Sequence, residues 1–151
     1  MSESNPTIKF DRVNPYYNGS VQKLYSVNDY PGSLVSETSM GGSVFDVGTI
    51  FEIKGSDTVR AGFRHLVYRS LMDVNEWGDI ESYIKAHWGE DYFQNEAIIL
   101  EMLEKIKSTG LKTHHRGMIG PDDEKLYADS FPQELSNLTL IKKYNIYKPE
   151  S

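Results

Sequence analysis

Polar and apolar positions alternate with a period of two from Gly19 to Val27, with Val21, Lys23, Tyr25 and Val27 set against Ser20, Gln22 and Leu24. That pattern predicts a strand. Asn28-Asp29-Tyr30-Pro31-Gly32 follows as a turn signal, and Ser33 to Met40 reads as a second strand, so the two form a hairpin. Gly41-Gly42 is expected to break it, and Val44 to Ile53 is a third β-rich run, interrupted at Gly48. From Ser56 the spacing changes. Ser56 or Asp57 can cap a helix that carries Val59, Phe63, Leu66, Val67, Leu71 and Val74 at helical intervals. A short helix is expected over about Asp79–His87 and a longer one over about Tyr92–Ser108, ended at Gly110. Leu111 to Met118 returns to extended character, a polar loop begins at Pro121, and Leu138 to Tyr147 is the last β-rich run. The first 18 residues, with Pro6 and Pro15, read as an extended lead-in to a single domain over residues 19–151.

Strands, then helices, then strands predict an α+β fold: a mainly antiparallel sheet with two or three helices on one face. With 151 residues the chain is long enough to bury a core. No apolar run approaches the ~18 residues a spanning helix needs, and the N-terminus has no leader pattern. The absence of cysteine removes disulfides, thiol catalysis and cysteine-ligated zinc. These features set the expectations of no membrane partner and a cytoplasmic location. The net charge of −6 argues against nucleic acid, because no global positive field is present to release counterions. A local basic patch can still hold one phosphorylated small molecule.

Candidate chemistry is sparse. No P-loop, dinucleotide fingerprint or nucleophile elbow occurs. Gly19 and Ser20 can form a phosphate-covering turn through backbone N–H groups, or a plain hairpin. Ser43 and Asp46, after two glycines, can hydrogen-bond a substrate or simply build a turn. Lys54-Gly55 can meet an anion ahead of the helix. Arg60 and Arg64 lie four apart on one helix face, beside His65 and Arg69. His114 and His115 fall on opposite sides of a strand, so they do not chelate one metal together, and no metal site is expected.

Taken in order, five segments resemble the N-terminal lobe of SAICAR synthetase, the ATP-dependent ligase of purine biosynthesis. Gly19-Ser20-Val21-Gln22-Lys23-Leu24-Tyr25 is similar to that family's G-K-x-R-D-I-Y hairpin, and Thr38 to Val47 to its T-D-R-I-S-A-F-D-V run. Glu52-Ile53-Lys54-Gly55 resembles its I-P-x-K-G stretch, Gly110 to His115 its G-I-x-T-H-F segment, and Leu138 to Glu150 the strand pair before its P-L-E-V-V-V-R motif. The resemblance covers most of this chain and about half of a typical member.

It implies an α+β lobe and a purine-pathway metabolite or nucleotide as ligand. Ser43, Asp46, Lys54 and Gly55 would stand toward the substrate, and Gly19, Ser20 and Lys23 toward the nucleotide. ATP and Mg²⁺ are the implied cofactors. The departures are specific. Ser20 and Gln22 stand where the family carries phosphate-facing cations, Ser39-Met40 stand where it has an aspartate-arginine pair, and its metal-binding carboxylates have no counterpart. No catalytic residue can be assigned. A lobe without its second half would expose the surface the two halves share, so a homo-oligomer or a second chain is expected. Three functions stay open: a truncated relative needing a partner for turnover, a non-catalytic binding or interaction module, and an enzyme with changed chemistry at an oligomer interface.

Overall fold

The computed structural model describes residues 5–42 and 51–144. The strands are β1 (Tyr17–Asn18), β2 (Gln22–Ser26), β3 (Ser33–Thr38), β4 (Gly41–Gly42), β5 (Phe51–Glu52), β6 (His115–Ile119), β7 (Leu126–Tyr127) and β8 (Leu138–Lys142). The helices are α1 (Ser56–Met72), α2 (Ile80–Trp88), α3 (Glu90–Gln94) and α4 (Glu96–Thr109), with a 3-10 turn at Val74–Trp77. The fold is α+β, as the order of the sequence patterns predicts. It divides into two compact units, Met1–Leu66 with His114–Ser151, and Val67–Thr113.

The first unit is built on an antiparallel sheet of order β1-β2-β3-β8-β6-β7. Its faces differ in chemistry. On one face Tyr25, Val35, Leu138, Leu140 and Ile119 form an apolar core with Ile8 and Val27. Side chains of a strand alternate, so Ser36 and Thr38 of β3 and Thr139 of β8 go to the other face. They are buried there with His115, and Ala61 and His65 of α1 are buried as well. A buried polar layer of this kind is a more informative feature than a buried apolar one.

A register shift in β6 helps to build that layer. His115 lies opposite Ile141 and Gly117 opposite Leu140, with an irregularity between them. The extra residue, Arg116, puts His115 and Met118 on one face although they are three apart, an odd spacing that simple alternation would split.

The second unit is helical. Asp73 accepts from the Asn75 amide at 3.1 Å to open the 3-10 turn, and Trp77 donates its indole N–H to the Ser70 carbonyl at 2.9 Å. Asp79 caps α2, accepting from the Ser82 amide at 3.1 Å and the Ser82 hydroxyl at 2.7 Å. The two bonds favour the carboxylate and hold the pKa of Asp79 below its ordinary value. Ile84, Tyr92, Ile99 and Leu103 make this unit's core, with Ile80 against it.

Several local expectations change. The lead-in is not merely extended: Ile8 is fully buried, Thr7 bridges Lys125 and Phe10 bridges Val27. Gly41-Gly42 does not simply end the hairpin, because it pairs with Phe51 and Glu52 in a short second ladder. The rest of the third β-rich run lies outside the described residues, as does Asn145–Tyr147 of the last. The long helix starts earlier, at Glu90, and divides at Asn95 into α3 and α4. The loop after Pro121 contains the edge strand β7.

Candidate functional site

Ser39 and Met40, immediately after β3, form the junction of three chain segments. The Ser39 amide donates to the Val21 carbonyl at 3.0 Å, and its hydroxyl donates to the Ser20 carbonyl at 3.0 Å. These bonds tie the junction to the β1–β2 hairpin. The Met40 carbonyl accepts from the Ile53 amide at 3.1 Å and the Ser56 hydroxyl at 3.4 Å, which ties it to the start of α1. Arg60, one turn into α1, donates through Nη2 to the Ser39 carbonyl and through Nε to the Ser56 carbonyl at 3.2 Å. Two adjacent residues thus gather the glycine hairpin, the turn after β3, and the cationic first turns of α1.

The predicted site residues fall on both sides of this geometry. Ser20 takes part directly. Lys54 and Gly55 immediately precede α1, next to Ile53 and Ser56, which bond the junction. Gly19 closes the hairpin: its amide donates to the Gln22 carbonyl at 2.9 Å, and a Cβ there would sit 2.9 Å from that oxygen and 2.7 Å from the Tyr17 ring. Its glycine identity therefore has a steric cause in the turn itself. Lys23 goes elsewhere. It pairs with Glu37 and alternates with Gln22, whose amide bonds the Ser36 hydroxyl, so Lys23 belongs to the face of Tyr25, away from α1. Ser43 and Asp46 lie outside the described residues.

Arg64, one turn beyond Arg60, reaches from α1 to the hydroxyl of Thr38 at 3.4 Å. Beside it is a feature that the sequence pattern did not single out. His65 Nδ1 and His115 Nε2 stand 2.7 Å apart, and His65 Nε2 is 2.8 Å from the Ser130 carbonyl. A carbonyl only accepts, so His65 carries a proton on Nε2. In neutral His65, Nδ1 then accepts from the Nε2–H of His115. Phe131 meets the His65 ring edge-on at 4.7 Å between centroids. Burial, then the neighbouring His65, His114, Arg64 and Arg116, push the pKa of His115 down to about 3. Burial and the same two arginines lower that of His114. The one available signal in the sequence is the small pair Ala61-Gly62 ahead of His65. Ala61 is fully buried, and a Cβ on Gly62 would sit 3.0 Å from a methyl of Leu135.

Chemically, the amides and hydroxyls of the junction donate to carbonyl oxygens, so its capacity for an anion rests on the N–H groups of the Arg60 fork beyond those on the Ser39 and Ser56 carbonyls. Its described residues present no activated nucleophile. Among the described residues no cluster of three His, Asp or Glu side chains is placed to hold a metal ion. A separate hollow of about 250 Å³ between Asp122, Asp123, Tyr127, Pro132 and Glu134 has carboxylate walls, the wrong sign for a phosphate. No helix among the described residues is long and apolar enough to cross a membrane.

No protein-family description, curated protein or solved structure matches this chain.

Proposed function

We propose that this protein is a metabolite-binding lobe related to the N-terminal half of SAICAR synthetase, which takes the phosphate of a purine-pathway ribotide or nucleotide at the Ser39–Met40 junction. The observation that carries the reading is the double attachment of that junction, to Ser20–Val21 on one side and to Ser56 and Arg60 on the other. It brings together, through backbone and hydroxyl bonds, three of the five segments whose order resembles that family. Arg60 carries five N–H donors in a rigid fork. Its carbonyl bonds orient that fork beside the junction. Turnover with ATP and Mg²⁺ belongs to this reading only where carboxylates from outside residues 1–151 join the site.

The test is a thermal-shift and calorimetric series with purine-pathway ribotides and ATP, because a ligand of the native state raises the melting temperature by mass action. A phosphorylated ribotide or ATP is expected to raise it and the corresponding nucleoside is not. Arg60→Gln is expected to weaken the binding by about tenfold, equivalent to about 1.4 kcal/mol, while Lys112→Gln leaves it unchanged. Equal binding of nucleoside and nucleotide, or of wild type and Arg60→Gln, contradicts the reading.

A second observation favours self-association. Val59 and Phe63, four apart on α1, are 62% and 67% exposed, and Leu66 continues their line. Such a stripe is normally covered. Phe63→Asp is expected to shift the protein toward monomer in sedimentation at tens of micromolar. A wild type that is already monomeric there contradicts assembly through this face.

A further inference from the structure

A second surface lies at the opposite end of β3 from the junction. The turn before β3 contains Tyr30, whose carbonyl accepts from the Ser33 amide at 3.1 Å. Across that end, Lys142 of β8 pairs with Ser33, and the Lys143 amide donates to the Gly32 carbonyl at 2.7 Å. Lys143 extends its ammonium over the Tyr16 ring, 4.5 Å from the centroid, and Lys142 reaches the Tyr144 ring at 5.3 Å. Tyr16 and Tyr144 are 55% and 54% exposed, and Tyr30 is exposed as well. None of these residues contributes to the junction.

We infer that this end of the sheet, formed by Tyr16, Tyr30, Tyr144, Lys142 and Lys143, binds a short single strand of nucleic acid. Exposed rings interleaved with lysines match the two repeating features of such a strand, flat bases and phosphates. Each lysine takes one face of its ring, held by the ring quadrupole, and a base stacks on the opposite face with the cation beside it for the phosphate. The net charge of −6 excludes a broad track for duplex but not a local contact of this size. An acidic peptide would use the lysines and leave the rings without a flat partner, and an anionic bilayer, whose interface also takes tyrosine and lysine, is separated by the vesicle arm of the test.

The test is fluorescence anisotropy of the whole chain with labelled oligo(dT), alongside the same sequence as duplex, a polyglutamate peptide and phosphatidylserine vesicles. The single strand is expected to bind best. Two neutralised phosphates predict a loss of roughly sevenfold between 50 and 200 mM salt. Tyr16→Ala or Tyr144→Ala is expected to cost about fivefold or more each. Lys142→Gln with Lys143→Gln should flatten the salt dependence, and Lys143→Glu should weaken binding at a position whose charge the fold does not need. Arg60→Gln should leave oligonucleotide binding unchanged, which separates this surface from the phosphate junction. Variants are compared at matched melting behaviour. No binding of the strand, equal binding of duplex, peptide or vesicles, or indifference to the tyrosines and to Lys143→Glu overturns the inference.

Discussion

Gly117→Ala is expected to lower the unfolding free energy by about 3 kcal/mol and the melting temperature by roughly 10 °C. Gly117 has φ +151°, a conformation that costs an L-residue strain. Space is the larger obstacle. A Cβ there would lie 2.6 Å from the Tyr127 carbonyl oxygen and 2.8 Å from a methyl of Leu126, both on the neighbouring strand β7. Backbone cannot step aside as a side-chain tip can, so β6 and β7 would have to separate. The bulge that aims His115 at α1 depends on the same place in the chain. Chemical denaturation measures the effect, and a loss below about 1 kcal/mol contradicts the strain described here.

The second large effect is acid sensitivity between pH 7.5 and 5. His115 is buried and its pKa is pushed down to about 3, against about 6.5 in an unfolded chain. A base with a depressed folded pKa takes up its proton in the unfolded state first. Its stabilising contribution is therefore complete above pH 6.5 and declines as the pH falls toward 3, by about 1.4 kcal/mol per unit. From pH 7.5 to 5 the loss from His115 is on the order of 2 kcal/mol. His114, also depressed, adds in the same direction. Asp79 and Asp123 have lowered values too, but they lose their contribution only as the pH falls below the ordinary carboxylate range, outside this window. His115→Gln keeps an N–H for His65 Nδ1 and removes the titration. The variant is expected to start less stable at pH 7.5 and to decline less toward pH 5. Parallel curves for wild type and variant contradict a neutral buried His115.

Much of the fold was legible in the chain because its signals are local. The Asn28–Gly32 turn between two alternating runs marks the β2–β3 hairpin, and Gly110 stops α4 where a left-handed residue is needed. The misreadings share one cause: their elements are made by a pairing partner and not by a period of their own. Tyr17–Asn18 is a strand only because Leu24 and Lys23 pair with it, and Leu126–Tyr127 only because Ile119 and Met118 do. Ile8 joins the core through a bridge at Thr7 to Lys125, more than a hundred positions away. The site shows the same division. Gly19, Ser20, Lys54 and Gly55 stand out as turn or helix-start residues, whereas the bonds that bring their segments to Ser39–Met40, made by Ser20, Val21, Ile53 and Ser56, join distant positions that no spacing announces. Lys23 shows how decisive a single step is: one residue from Gln22, it belongs to the other face. The His65–His115 pair joins residues fifty positions apart through a bulge, and helical periodicity alone placed His65 in a charged stretch.

The most direct test of the phosphate-binding account is an amide chemical-shift titration of the whole protein with a purine ribonucleoside monophosphate. The largest shifts are expected at Ser20, Val21, Ser39, Gly41, Gly55 and Ser56, with smaller ones on α1 near Arg60, and the matching nucleoside should leave these amides unmoved. Shifts that leave this junction untouched, or that nucleoside and nucleotide produce equally, would contradict it.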